Sequence, residues 1–398
     1  MDILFGVFRP AIWVYFVVAL VMMQITIMGV TLYLHRDQAH RSIDLHPALR
    51  HFFRLWVWMT SAMLTSDWVA VHRKHHARCE TEEDPHSPQV KGLKTVLLTG
   101  AELYETEKNN PETIAKYSRG CPDDWLERNV YARFPTLGIL LMFIIDVVLF
   151  GVVGITIWAF QMISMPLFAA GIINGLGHHT GYRNFECDDA ATNLTPWGFF
   201  LGGEELHNNH HAFPSSAKFS VRKWEFDIGW MYLTIFKALG LVKIRRVAPT
   251  PVLEEKDIVD VETVRAVVLN RMHVLREYAR SVTLPVLAAE KQRDGAERMK
   301  DMWSKARRVL VRRPELLDQS HRQKLEELLA NNATLKTVHE YRERLRELWT
   351  GATVSNEKLT QQLKDWCQQA EATGIQALQE FSDRLKNYTV APANTATA

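Results

Sequence analysis

Eight of the sixteen histidines lie in three short runs, and each run adjoins a long apolar stretch. The runs read His35-Arg-Asp-Gln-Ala-His40, His72-Arg-Lys-His75-His76 and His207-Asn-Asn-His210-His211. Histidines at i, i+3 and i+4 share one face of a helix, so the second and third runs each present a cluster of imidazoles. Imidazole is the commonest protein ligand for iron, copper, zinc and nickel. The spacing therefore predicts a metal centre rather than three unrelated polar helix ends.

The first run has a different spacing. His35 and His40 differ in direction by about 140° on an ideal α-helix. The helix must therefore end or distort there, or the two residues must serve different metal ions. Acidic neighbours are candidates to orient ligating imidazoles, although solvated surface charge suits each equally well; they are Asp37, Glu204 and Glu205. The histidines without ligand spacing are predicted to lie on the surface or in helix packing; they are His46, His51, His86, His273, His321 and His339.

As a set, the three runs resemble the HxxxxH, HxxHH and HxxHH boxes of the membrane fatty acid desaturases. Two further motifs extend the resemblance. Asn174-Gly-Leu-Gly-His178 resembles the N-x-x-x-H stretch that carries a ninth histidine in the acyl-chain Δ9 desaturases. His211-Ala-Phe-Pro214 is close to the H-x-F-P ending of the family's third box. The resemblance covers roughly residues 10–245, and its motifs are specific as a set.

The resemblance implies two iron ions and a defined set of ligands. Carried over by position, the ligands are His35, His40, His72, His75, His76, His178, His207, His210 and His211. Asn174 would approach one iron through a water molecule, and Trp68 would line the substrate tunnel. His179 matches no ligand of the family and is predicted to be structural.

The activity implied is that of an O2-dependent oxidoreductase that introduces a cis double bond, at the Δ9 position, into a saturated acyl chain. No side chain can remove hydrogen from an unactivated methylene, so no catalytic residue is expected beyond the metal centre. The protein holds the metals and aims one carbon pair at them through an apolar tunnel. The alternatives are a related membrane diiron hydroxylase and a non-catalytic metal-binding or transport protein. The N-x-x-x-H and H-x-F-P motifs favour desaturation.

The residues before the second run bear on the substrate. In the animal acyl-CoA enzymes of this family, charged residues between a tunnel tryptophan and the second box help to hold the CoA head group. Here Trp68 stands four residues before His72, and Val69-Ala70-Val71 between them are apolar. This departure favours an acyl chain presented by a membrane lipid, with acyl-CoA as the alternative.

The electrons must come from another protein. The sequence has no Rossmann G-x-G-x-x-G motif, no cysteine cluster and no appended haem domain. A ferredoxin or a cytochrome b5-like donor with its reductase is therefore implied. Basic residues beside the runs suit either an acidic donor or anionic lipid head groups. They are Arg73, Lys74, Arg78, Lys218, Arg222 and Lys223.

Apolar runs long enough to cross a bilayer predict about three transmembrane helices. Residues 11–34 carry no charge, and Asp146 is the only charge between Phe134 and Gly177. We expect crossings at 11–34, about 136–158 and about 160–178, with a turn near 160–166. Asp146 is expected to be buried and hydrogen-bonded between helices. If residues 52–71 also crossed, the first two runs would lie on opposite faces, so this stretch and 224–242 are predicted to be in-plane or buried helices.

Lysine and arginine residues gather at the ends that carry the histidines, and the turn near 160 has none. The positive-inside rule therefore places the histidine boxes in the cytoplasm, at an inner membrane if the chain is bacterial. The four cysteines, Cys79, Cys121, Cys187 and Cys367, show no C-x-x-C spacing, which agrees with a reducing compartment. The fold class predicted for residues 1–248 is an all-α integral membrane domain with a cytoplasmic helical cap that holds a diiron site.

After Pro249-Thr-Pro251 the sequence becomes charged and shows helical periodicity, with breaks predicted at Pro285 and Pro314. Residues 249–390 are predicted to form a cytoplasmic helical accessory or partner-docking domain, and 391–398 a disordered tail. Roughly 304–388 are similar to the helical end of bacterial insertion-sequence transposases, for example in Arg344-Leu-Arg-Glu-Leu-Trp349. The tail has neither a complete acidic triad nor a basic excess, so no nucleic-acid partner is expected.

Overall fold

The computed structural model describes residues 6–293, 303, 305–349 and 355–390. The described chain is mostly helical, with six strands of two or three residues each. It divides into two compact units. Unit 1 consists of Met1–Arg183 and Asp189–Ala248, and unit 2 of Asn184–Asp188 and Pro249–Ala398. The short segment Asn184–Asp188 thus belongs to unit 2, although both of its chain neighbours belong to unit 1.

Unit 1 contains ten helices among its described residues. They are α1 Ile12–Ala39, α2 Pro47–Ser61, α3 Thr65–Arg78, α4 Pro88–Lys91, α5 Leu93–Lys108, α6 Pro111–Tyr117, α7 Leu137–Phe150, α8 Val152–Leu176, α9 His207–Ala212 and α10 Ile228–Ala238. A separate π turn spans Glu127–Tyr131. The strands are β1 Ile43–Leu45, β2 Trp197–Gly198, β3 Phe226–Asp227 and β4 Val242–Ile244. β1 pairs antiparallel with β4, and β2 pairs parallel with β3.

Two helices of the described chain are long and apolar enough to cross a membrane, α1 with 28 residues and α8 with 25. The remaining predicted crossing corresponds to α7, an apolar helix of 14 residues. At 1.5 Å per residue α7 is roughly 21 Å long, shorter than the hydrocarbon core of about 30 Å. Large apolar side chains on these helices are exposed, which suits a lipid surround. They include Ile12, Trp13, Phe16, Leu20, Leu140, Ile144, Ile155 and Ile163.

The turn between the second and third apolar helices lies at Gly151, so the expected position near 160–166 is wrong. Gly151 has φ +64° and ψ −143°, a conformation that glycine adopts far more readily than other residues. Pro166 instead lies within α8, at the point where its turns widen from α to π type. Both sides of Gly151 are apolar, and the hydropathy pattern therefore carried no sign of this turn.

The α7–α8 hairpin is packed closely below the turn. A Cβ atom at Gly154 would overlap the main-chain carbonyl of Asp146, so the two backbones approach as near as glycine allows. Asp146 is fully buried and accepts a hydrogen bond from Gln161 Nε2 at 2.9 Å, as expected of an acid between apolar helices. The amides of Val7 and Phe8 donate to the Val148 and Leu149 carbonyls, so the start of α1 lies beside this turn.

Residues 52–71 were expected to form one helix. They instead include the end of α2 and the beginning of α3. α2 ends at Ala62, whose φ of +55° turns the chain, and α3 begins at Thr65. Arg54 is accommodated in the apolar face of α2 because it pairs with Asp124 at 2.6 Å and Glu127 at 2.5 Å. The predicted helix at 224–242 is also shorter, since α10 spans Ile228–Ala238 between β3 and β4.

Unit 2 is a helical domain with its own core. Its helices are α11 Val261–Leu269, α12 Arg271–Tyr278, α13 Leu284–Arg293, α14 Ala306–Val311, α15 Gln319–Asn331, α16 Ala333–Glu347, α17 Asn356–Ala372 and α18 Gln376–Lys386. β5 Val252–Leu253 pairs antiparallel with β6 Tyr388–Thr389. The core includes Tyr278, Leu328, Leu345, Trp366 and Phe381. Residues 391–398, predicted to be disordered, lie outside the described residues.

The two predicted breaks in unit 2 have different outcomes. Pro314 begins a separate 3-10 turn, Pro314–Leu316, as expected. Pro285 does not interrupt the helix, because π turns over Ala279–Thr283 connect α12 to α13 directly. Proline is tolerated near a helix start, and the widened turns accommodate the carbonyl that its missing N–H leaves unpaired.

The close approach at Gly154 gives a test of the hairpin. Gly154→Ala forces the α7 and α8 backbones apart, and overpacking of this kind costs about 1–3 kcal/mol. We expect a lower melting temperature for the detergent-purified variant. Thr156→Ala, an exposed position on the same helix, is the matched control and leaves the melt unchanged. Equal melts for the two variants would contradict this packing.

Candidate metal centre

The nine predicted ligand histidines come together in two groups within unit 1. Group one contains His35, His40, His72, His76 and His210, and group two contains His75, His178, His207 and His211. Within each group, the candidate ligand atoms all lie within 4.8 Å of one another. The second and third runs each contribute to both groups, because neighbouring positions on their helices point to the two sides. The arrangement provides five imidazoles for one ion and four for another.

The ring nitrogens within each group lie about as close to one another as two nitrogens that bind the same metal ion. In group one, the Nε2–Nε2 distances are 2.8 Å for His40–His72, 3.1 Å for His35–His210 and 2.9 Å for His76–His210. In group two, His178 Nε2 lies 3.1 Å from that of His75 and 3.0 Å from that of His207. Two nitrogens that bind one metal at about 2.1 Å and at right angles lie about 3.0 Å apart.

The distortion that the first run required is present in α1. From Gly29 to Ala39 the turns are of π type, in which hydrogen bonds join residues i and i+5. His40 N donates to the His35 carbonyl at 3.0 Å in this pattern. Five residues therefore bring the chain back to nearly the same face, and the two ring centroids lie 4.8 Å apart. His35 and His40 accordingly fall in the same group.

Buried carboxylates hold four of the imidazoles by their Nδ1 atoms. His35 donates to Glu204 at 2.7 Å, His75 to Asp84 at 3.0 Å, His178 to Glu80 at 3.1 Å and His211 to Asp189 at 2.9 Å. A proton fixed on Nδ1 leaves the lone pair on Nε2, which is the atom that faces the group. Although burial raises the pKa of Glu80, Asp84 and Glu204, their histidine partners hold each of these pKa values below the usual range.

The other two predicted carboxylates accept hydrogen bonds from groups other than histidine. Asp37 accepts from Arg50 and from the Leu45 amide. Glu205 accepts from the amides of Phe200 and Leu201, and burial raises its pKa. Both residues are adjacent to predicted ligands in sequence, but the Asp37 side chain leaves α1 on another face and Glu205 lies in the turn before α9. Of the three candidates, only Glu204 orients a ligand.

Sequence reasoning missed Glu80, Asp84 and Asp189, which lie in loops. It also assigned His86 to the surface or to packing, whereas this histidine is buried and its ring centroid lies 4.3 Å from that of His75. Burial lowers the pKa of His86 to about 3. The available signal was the acidic stretch Glu80–Asp84, which directly follows the second histidine run.

The remaining histidines are where they were expected. His179 is exposed and bonds to Thr180, in contrast to its neighbour His178. His46 caps α2 by accepting from the Ala48 amide, and His51 is exposed. In unit 2, His273 packs against Phe185, His321 bonds to Asp318, and His339 is partly buried.

The third run is positioned by its own asparagines. The Asn209 amide donates to Asn193 Oδ1 at 3.2 Å, and Asn209 Nδ2 donates to Glu225 at 2.9 Å. Asn208 Nδ2 donates to the Ala191 carbonyl at 3.1 Å. The six-residue helix α9 is too short to be stable by itself, so these bonds fix the direction of its three histidines.

The donor set fits divalent transition metals. Six of the nine ligands are buried, and His211 Nε2 has no hydrogen-bond partner although it is buried. Burial, followed by the neighbouring imidazoles, lowers the pKa of His40, His72, His76, His207, His210 and His211. Neutral imidazole is the ligating form, so these histidines are kept ready to bind a metal.

An apolar cavity of about 440 Å³ adjoins both groups. Four ligand histidines line it together with Trp68, whose ring stacks on that of His72 at 4.8 Å, and Asn174. The lining also includes Ala101 of α5 and residues of α7 and α8, which are Ile139, Trp158, Met162, Met165, Ala169 and Ala170. Ser61, Tyr104, Glu105 and Glu204 add polar atoms to a lining that is otherwise mostly apolar. The cavity therefore connects the metal groups with the apolar helices, and its lining suits a hydrocarbon chain.

The lowered histidine pKa values predict a pH dependence for the metal-free protein. Six histidines stay neutral in the folded state below pH 6.5, where the unfolded chain binds protons, so stability falls as the pH falls. The loss of stability begins as the pH falls through the pKa of histidine in the unfolded chain, about 6.5. His75 acts in the opposite direction, because Asp84 raises its pKa although burial opposes this. Melting curves of chelated protein between about pH 7.5 and 5.5 should show a steep fall, and a flat profile would refute this expectation.

Comparison with known proteins agrees with this geometry. A family model described as "Fatty acid desaturase" matches residues 11–226. The chain is 32% identical over 230 residues to "Delta-9 acyl-lipid desaturase 1" of Arabidopsis thaliana, covering 56% of this chain and 72% of that protein. It is 29% identical to "sn-1 stearoyl-lipid 9-desaturase" of Anabaena variabilis, over 54% of this chain and 77% of that protein. It is also 29% identical to "Acyl-CoA 5-desaturase AL21" of Anemone leveillei, over 54% of this chain and 66% of that protein.

A second family model, described as "Transposase", matches residues 262–396. The resemblance expected for the C-terminal region is thereby confirmed, over a wider range than the 304–388 estimated from the sequence. The match covers a minority of the chain and is confined to unit 2.

Proposed function

The chain belongs to the fatty acid desaturase family, and on this premise we propose that it is an O2-dependent Δ9 desaturase of saturated acyl chains carried by membrane lipids. The observation that carries the proposal is the position of two histidine groups beside one apolar cavity. A site for a soluble substrate would need polar groups along the cavity, whereas this lining is largely apolar beyond the histidines. The site is best suited to a reaction at a methylene.

The nine histidines would hold two iron ions, five in group one and four in group two, with Asn174 near one ion through water. Together with O2, two electrons and two protons, the irons supply the oxidising power that converts –CH2–CH2– into –CH=CH– and yields two molecules of water. Around them, the carboxylates Glu204, Asp84, Glu80 and Asp189 keep the Nδ1 protons in place. The cavity excludes bulk water and restricts the chain to positions in which one carbon pair faces the metals.

The proposal of a lipid substrate rests on two observations. The first two relatives compared above have lipid in their names, although the third and one further relative are named for acyl-CoA. Val69, Ala70 and Val71, which precede the second run, are buried. A nucleotide head group would find no polar side chain at these three positions.

An external one-electron donor, of ferredoxin or cytochrome b5-like type, would dock on the histidine-bearing side, which we place in the cytoplasm. Arg73 and Lys74 are half-buried and engaged inside unit 1. Arg73 donates to the carbonyls of Ala39, Tyr117, Arg119 and Gln38, and Lys74 pairs with Glu107 at 2.8 Å. The docking face is therefore proposed to centre on the exposed Arg78 and Lys223, with the half-buried Lys218 and Arg222 beside them.

Expression in a host that lacks such an enzyme tests the activity. The full chain, supplied with iron and a donor system, should produce new Δ9 double bonds that mass spectrometry locates in the host lipids. His178→Ala should abolish them, because it removes a buried ligand and leaves Glu80 without its partner. His179→Ala, an exposed histidine next in the chain, is the matched control and should retain activity within about two-fold.

The same experiment distinguishes the substrates when the acyl-CoA and phospholipid pools are separated at early times. New double bonds should appear first in phospholipid. Their first appearance in acyl-CoA would overturn the lipid proposal and leave the desaturase intact, and oxygenated chains without double bonds would indicate a hydroxylase.

The small side chains of the cavity give a second test. Ala101→Phe inserts a ring into the cavity, so we expect turnover of long chains to fall several-fold and the products to shift towards shorter chains. Ala159→Phe, at an exposed position of α8, is the control for adding an aromatic ring to the apolar region. An unchanged chain-length profile for Ala101→Phe would show that this cavity does not hold the substrate.

A further inference from the structure

Three large aromatic side chains are exposed close together on unit 1. Trp197 lies on β2, and Phe199 and Phe200 lie in the turn that follows it. Their exposed fractions run from 51% for Phe199 to 67% for Phe200. The Phe199 ring contacts those of Phe200 and Phe226, with centroids 5.3 and 6.4 Å apart. Exposed apolar side chains that cluster in this way mark a contact with another molecule or with a membrane.

The helix α10 extends this cluster with an apolar face of its own. Met231, Ile235 and Leu239 are exposed and follow one another at intervals of four residues, which places them on one side of the helix. A Cβ atom at Gly229, in the first turn of α10, would overlap the Gly202 carbonyl oxygen. The turn after β2 and the start of α10 therefore touch. We refer to the three aromatic residues and the three residues of α10 together as the outer apolar surface.

Contacts with the apolar helix α1 indicate how deep this surface lies. Gln24 Nε2 of α1 donates to the Tyr232 hydroxyl of α10 at 3.1 Å. The Thr31 hydroxyl donates to the Gly202 carbonyl at 3.1 Å. At 1.5 Å per residue, Gln24 lies about 18 Å and Thr31 about 28 Å along α1 from its start at Ile12. Both contacts therefore fall within the roughly 30 Å over which a spanning helix passes through hydrocarbon.

The surroundings of α1 change along its length. Its first half exposes large apolar side chains such as Phe16 and Leu20, whereas residues 29–37 are buried. Tyr232 and Gly202 belong to elements that cover the second half. An element that covers a spanning helix inside the bilayer meets the lipid in its place, so its own outer face must be apolar. The outer apolar surface meets this requirement and continues the exposed apolar face of α1.

Two buried contacts connect the outer apolar surface to the first histidine run. Asp227 is the N-cap of α10 and pairs with Arg36, the residue after His35, at 3.3 Å. Glu204, just beyond the turn that follows β2, accepts from the Thr31 hydroxyl at 2.7 Å and from His35 Nδ1 at 2.7 Å. Buried polar contacts of this kind hold their partners rigidly. The distance between the outer apolar surface and the metal ligands is therefore fixed.

We propose that the outer apolar surface is inserted into the lipid leaflet on the histidine-bearing side, and that this anchor sets the depth of the metal centre in the membrane. The head group of a lipid stays at the interface, so the depth of the metals decides which carbon pair of its acyl chain reaches them. The depth-setting role rests on the proposed function, whereas the insertion into lipid does not.

Photocrosslinking tests the insertion. The full-length protein is placed in phosphatidylcholine nanodiscs that contain a phosphatidylcholine with a diazirine near the glycerol end of one acyl chain. After illumination, mass spectrometry should find lipid adducts on residues 197–200 and 231–239 several-fold more often than on α6, which is exposed but charged. Residues 12–21 of α1 are the positive control, with the diazirine at the end of the acyl chain. Adducts on α1 but not on the outer apolar surface would overturn the anchor.

The variant Phe200→Asp tests the depth-setting role. A carboxylate is poorly tolerated in hydrocarbon, so adducts on residues 197–200 should fall several-fold. Because the Phe200 side chain is exposed, the variant should fold and bind iron as the unaltered chain does. In the expression host, its double bonds should spread from one position to the neighbouring carbon pairs. Phe200→Leu keeps the side chain apolar and should restore both the adducts and the single position.

The outcomes separate the anchor from the proposed activity. Loss of adducts in Phe200→Asp with an unchanged double-bond position would overturn the depth-setting role. If the chain is not a desaturase, no form of it produces double bonds, the unaltered chain included, and the adducts still decide whether the outer apolar surface lies in lipid.

Discussion

Nine imidazole rings are packed into two groups in which ring nitrogens lie about 3 Å apart. The structure around these groups must stabilise this close packing. Burial and mutual crowding lower the pKa of six of these rings, since two imidazolium ions in a buried site would repel strongly. Each neutral ring must also present its lone pair rather than its proton. Glu80, Asp84, Asp189 and Glu204 meet this need by accepting the Nδ1 protons of four ligands. These carboxylates are thus explained by the need to keep the protons of four histidines on Nδ1.

The gathering of the predicted ligand histidines into clusters could be anticipated from the sequence because their spacing is local. Histidines three and four residues apart lie on one helical face wherever the helix is placed. The first run showed the limit of this approach: the separation of His35 and His40 required a distortion, but only the structure identified it as π turns. The carboxylates in the loops could not be predicted, because Asp84 and Asp189 reach their histidines through tertiary folding.

Some parts of the fold could be predicted from the sequence and others could not. Apolar length located α1 and the α7–α8 region, since burial in lipid leaves a strong compositional mark. The turn at Gly151 could not be recognised from composition, because a single glycine between two apolar helices does not change the hydropathy. In unit 2, the helical periodicity agrees with a helical core in which Leu328 and Leu345 are fully buried. The inclusion of residues 184–188 in that unit depends on contacts between residues far apart in sequence, which no local pattern records.

That inclusion has a consequence for biosynthesis. Asp188 leaves the ribosome 154 residues before Arg342, which at about 5–20 residues per second means a wait of roughly 8–30 s. During this interval Phe185 lacks the His273 and Arg276 side chains that it contacts in the folded unit. Unit 2 is therefore not encoded by one continuous stretch of sequence, because it includes a segment that is synthesised long before Pro249. Its folding cannot proceed strictly from one end of the chain to the other.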